Sequence, residues 1–116
     1  MTLILIASTS SAQTYKSPQW NGCIQQFYDR DVYNWLSFRN GCSESVTVVF
    51  IPNNPGYGGS SMNLGPGRKD NTGYSRSEVN AKQGFELYVC PYGYLNVDAE
   101  DRYVNRVNTR FRCKQD

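Results

Sequence analysis

Histidine is absent from this chain of 116 residues. Its absence removes Ser-His-Asp and Cys-His nucleophilic sites, histidine-based ribonuclease chemistry and histidine-ligated metals. Long apolar runs are also missing. No stretch approaches the ~18 residues that a membrane-spanning helix requires, so no membrane span is expected. Charge is sparse, with 19% of residues charged and a net charge of +2. That balance is too near neutral to imply a polyanionic partner, and nucleic acid is not an expected one. None of the cysteines forms a Cys-x-x-Cys pair, so a zinc site has no support in the spacing. The glycine-rich residues 56–67 lack the Gly-Lys-Ser/Thr ending of a phosphate cradle and follow no βαβ pattern.

What remains is a vocabulary of tyrosine, asparagine, serine and glycine, with short apolar runs. Residues 33–52 hold the densest patterning. Trp35, Leu36 and Phe38 form one run, and Val46 through Ile51 form a second. β-Branched and aromatic side chains suit a pleated, half-buried surface. Val46, Val48 and Phe50 would share one face of a strand, with Thr47, Val49 and Ile51 on the other. Both sets are largely apolar, which predicts a central strand covered on both sides and ended by Pro52. Asn40-Gly41 between the runs predicts a hairpin or a sharp corner, because Asn-Gly tolerates positive φ.

Other strands are predicted at residues 23–28, 62–64, 85–90, 102–104 and 109–113, and a turn with a short strand at 92–97. Phe85, Leu87 and Val89 would face the core, with Glu86 and Tyr88 outward. Gly65-Pro66-Gly67 reads as a tight turn. Ser75 or Ser77 would cap a single helical turn. Some thirty residues between Ile51 and Phe85 otherwise carry little core pattern, as in loops that are functional or mobile. Phe27, Trp35, Phe38, Phe50, Phe85 and Phe111 are the expected aromatic core. Regular strand spacing without a helical period predicts an all-β fold: a small antiparallel sandwich or barrel.

Cys23, Cys42, Cys90 and Cys113 are expected to form two disulfides. Four cysteines allow three pairings, and the sequence does not choose among them; we favour Cys23–Cys42 and Cys90–Cys113. Residues 1–12 read as a signal-peptide remnant with cleavage after Ala12, or else as a first strand over residues 2–7. Residues 13–116 form one β domain in this reading. Disulfides and leader together point to a secreted or periplasmic location.

Carboxylate chemistry is the catalytic option left, and it needs two acids at a fixed separation. Most acids fall in expected turns, and Glu86 on a strand is the least ordinary. Asp98, Glu100 and Asp101 offer hard oxygens for calcium, but without a regular ligand spacing they read as an acidic turn beside Arg102. Arg102, Arg106, Arg110, Arg112 and Lys114 crowd the C-terminal end and read as a solvated face. The nine tyrosines exceed what a small core takes up. Tyr57, Tyr74, Tyr92 and Tyr94 lie beside glycine or proline and are the candidate ligand contacts. The favoured function is a secreted, non-catalytic binding module for a carbohydrate or cell-envelope glycan, with no cofactor and no resident metal. The alternatives are a protein-interaction role, as a hydrolase inhibitor or assembly subunit, and a carboxylate-based hydrolase. A rigid projecting loop over residues 52–84 would favour the interaction role.

Overall fold

The computed structural model describes residues 15–16, 20–54, 59–107 and 110–116. The leader-or-strand reading of residues 1–12 and the Tyr57 expectation lie outside them. In chain order the strands are β1 (Tyr15–Lys16), β2 (Ile24–Asp29), β3 (Trp35–Asn40), β4 (Val46–Pro52) and β5 (Ser60–Leu64). There follow β6 (Lys69–Asn71), helix α1 (Arg76–Ala81), β7 (Phe85–Pro91), β8 (Tyr94–Val97) and β9 (Arg112–Gln115). They form three antiparallel sheets, ordered β2-β3-β6, β5-β4-β7 and β1-β9-β8. The expected all-β, antiparallel, disulfide-tied class is what forms.

β4 is the central strand; one of its faces is covered throughout and the other in part. Val46, Val48 and Phe50 pack against Leu36 and Phe38 of β3, Met62 and Leu64 of β5, and Val89 of β7. Phe38, Phe50 and Phe85 meet with ring centroids 5.0–6.0 Å apart. Such tilted and edge contacts add about 0.5–1.5 kcal/mol each beyond area burial. On the opposite face Ile51 is sealed by Tyr88 and Val104, with Phe111 beside them.

The step from β3 to β4 is a corner between sheets, since the two strands do not pair. Asn40, fully buried, builds it: its Nδ2 donates to the carbonyls of Glu44 and Leu64, and its Oδ1 accepts from the Cys42 amide. The role expected for Gly41 is corrected. It has no positive φ; a Cβ there would lie 2.8 Å from the Cys23 carbonyl oxygen, to which the Gly41 amide donates. Close backbone approach beside the Cys23–Cys42 disulfide requires the glycine. The second disulfide joins Cys90 of β7 to Cys113 of β9. The favoured pairing is therefore the one present, and it is compatible with an extracellular or periplasmic compartment.

Several expectations change. Residues 52–84 are not a projecting loop among the described residues. β5, β6 and α1 fold back, and Met62, Leu64 and Val79 enter the core. Polar β6 was missed because it is an edge strand, pairing with β3 alone. Tyr88 does not face water; it is 3% exposed, covered by Val104 and Phe111. Residues 102–104 make only an isolated bridge, Tyr103 to Val97, and the last strand begins at Arg112 rather than at residue 109. Phe27 and Trp35 stay outside both core clusters. Phe27 lies under the cations of Arg39 and Lys69, and Trp35 against Tyr33.

Gly65-Pro66-Gly67 is the expected turn. Arg68 donates to the Gly65 carbonyl and Gly67 has φ +75°, which proline then glycine supply. Ser75 caps α1, with Glu78 completing a capping box.

Candidate functional site

Strand alternation sends Thr47 and Val49 to the face of β4 away from the main core. Their β5 partners in register, Asn63 and Ser61, join them there. The sheet β1-β9-β8 covers only part of this face. It is fastened by Cys90–Cys113, with Cys90 beside Thr47 in register and Cys113 beside Asn96. The uncovered part is a cleft of about 740 Å3, within the ~300–1,000 Å3 range of small-ligand sites.

Thr47, Ser61 and Asn63 line the cleft, with the Thr47 hydroxyl donating to Asn63 Oδ1 at 2.7 Å. Tyr92 and Tyr94 line it as well, and so do Tyr103 and Asn105. The tight turn after β7 places the first two. Gly93 between them has φ +90°, a left-handed conformation that glycine adopts at little cost. Tyr92 donates its amide to the Ser45 carbonyl, and Gly93 accepts from the Asp116 amide. Tyr92 is 63% exposed and Tyr103 69%. Asn96, which also lines the cleft, is 3% exposed, and its Nδ2 has no hydrogen-bond partner among the described residues.

The candidate tyrosines thus separate. Tyr92 and Tyr94 come together on the cleft. Tyr74 does not; its ring lies 5.3 Å from that of Phe50, against the main core. Tyr103 was missed because its expected setting was an ordinary strand, whereas it stands on an irregular segment between β8 and β9. Its position after the acidic turn was the available signal.

The acids are differently employed. Asp98 accepts from the amides of Glu100 and Arg102, and both Asp98 and Glu100 contact the Arg102 guanidinium. The Arg102 amide, with these neighbours, holds the Asp98 carboxyl below its ordinary range. Asp101 pairs with Arg112 and Lys114. Glu86 accepts from the Tyr88 hydroxyl at 2.6 Å. Among the described residues, no group of three or more His, Cys, Asp or Glu is placed to hold a metal ion. No helix among them is long and apolar enough to cross a membrane.

Fold and site together define a disulfide-tied, all-β domain with a tyrosine-walled cleft. No family model, curated protein or solved structure matches the chain.

Proposed function

We propose that this protein is a small secreted, non-catalytic binding module whose ligand is a carbohydrate. One observation carries the reading: Tyr92 and Tyr94 share a cleft with the hydroxyl and amide groups of Thr47, Ser61 and Asn63. A sugar ring asks for both at once. Its C–H face packs on an aromatic ring, and its hydroxyls exchange hydrogen bonds with neutral donors and acceptors. Glycoside hydrolysis would ask for two carboxylates flanking the ligand. Asp116 is the one carboxylate residue lining this cleft among the described residues, which favours binding over hydrolysis.

The test is a glycan array probed with the wild-type protein, followed by titration of any retained sugar against Tyr92→Ala. Tyr92 is largely exposed, so the variant should keep its stability within about 0.5 kcal/mol. It should lose affinity on the order of tenfold, the magnitude of one aromatic contact in a binding site. Retention of no glycan, or undiminished affinity in Tyr92→Ala, would reject this function.

A further inference from the structure

The cleft does not end at Tyr103. Tyr103, Val104 and Asn105 also line a second depression of about 510 Å3, so the two depressions adjoin at this segment, the sill of a two-part trough in the proposal below. The halves differ in chemistry. The first has no lysine or arginine among the described residues that line it. The second is lined by Arg102, Arg106 and Arg110, together with Asp98 and Glu100. The two acids already face Arg102, at 3.3 Å in each case. Arg110 is exposed, and among the described residues no carboxylate pairs with it.

We propose that the ligand is an acidic oligosaccharide that crosses Tyr103, with an uncharged sugar between Tyr92 and Thr47 and a carboxylate- or sulfate-bearing sugar beside Arg110. This rests on the carbohydrate reading and adds the substrate class. Each half of the trough is of small-ligand size, so the pair accommodates at least two linked units. A guanidinium presents a planar fork of N–H donors that matches both a carboxylate and a sulfate. Tyr103 is exposed on the sill and offers its ring to the linkage between the units.

The test is calorimetric titration with matched oligosaccharides that differ only in the anion: a uronate against its neutral parent, and a sulfate ester against the same parent. The wild-type protein should bind one or both acidic members on the order of tenfold more tightly at low salt, with the gap narrowing as salt rises. Whichever anion shows the gap identifies the source. Arg110→Gln, an exposed change that leaves the fold intact by circular dichroism, should close the gap and leave the neutral affinity as it was. Tyr92→Ala should weaken acidic and neutral members alike. Equal affinity of wild type for acidic and neutral members, or a gap that survives Arg110→Gln, overturns the acidic-ligand proposal while leaving the carbohydrate reading standing. Absence of binding to every oligosaccharide removes both.

Discussion

The two faces of β4 carry similar residues and are covered in different ways. On one face Val46, Val48 and Phe50 are at most 1% exposed, closed over by apolar side chains from several strands. On the other, Ile51 is sealed at one end, while Thr47 and Val49 open into the cleft. The second cover is held to the sheet by specific links: the Cys90–Cys113 disulfide and the Tyr88 hydroxyl, which reaches the Arg106 carbonyl. An apolar layer resists opening along its whole length, whereas discrete fasteners leave space between them. In this molecule the first face is a closed core and the second leaves a cleft.

Three measurements would break or sharpen this contrast. The largest effect belongs to Phe50→Ala, which empties the middle of the ring cluster. It should lower the free energy of unfolding by about 3–5 kcal/mol, read as a lower urea midpoint at unchanged slope. A loss below ~1 kcal/mol would mean that this face is not a packed core. Tyr88→Phe tests the other cover. The hydroxyl donates to Glu86 and lies 3.2 Å from the Arg106 carbonyl. Its removal should cost about 1–2 kcal/mol, with faster amide exchange around Val104. Unchanged exchange there would show that the fastener is dispensable.

The smallest effect is that of pH, and each side has one acid to report it. The Lys69 ammonium, bonded at 2.7 Å, holds the Asp29 carboxyl below its ordinary value of 3.8. The Arg102 amide does the same for Asp98. A carboxyl lowered in the folded state stabilises it above the ordinary value, and that contribution is lost as pH falls from 3.8 through the folded value. Denaturant midpoints followed from neutral pH downward should therefore fall in this acid window. Asp29→Asn and Asp98→Asn should each make that fall shallower. Equal slopes in wild type and both variants would place the acid sensitivity elsewhere.

Much of the fold was legible where neighbours along the chain decide the outcome. The alternation of Val46 to Ile51, the core face of Phe85, Leu87 and Val89, the turn at Pro66-Gly67 and the Ser75 cap all depend on residues within a few positions of each other. Polar β6 gave no apolar signal, because an edge strand is held by the backbone of β3. Tyr88 was misread because its alternation is that of an exposed residue, and only the segment carrying Val104 and Phe111 buries it. Gly41 was chosen correctly for a corner, but its neighbour across the gap is Cys23, which no local rule names. For the site, Tyr92 and Tyr94 were legible as glycine-flanked aromatics. Tyr74 met the same rule and turned inward to Phe50, and Tyr103 met no rule and stands at the cleft.

By itself the sequence determined the strand-rich class, the two-faced character of β4 and the exclusion of histidine chemistry. These follow from side-chain type and spacing at short range. Tertiary structure alone decided which cysteines meet, that the Asn40 side chain ties its corner to the Leu64 carbonyl, and that Tyr92 and Tyr94 line one cleft with Thr47. Each of those joins residues far apart in the chain, and such contacts are selected by how whole sheets pack, not by the pattern of any one strand.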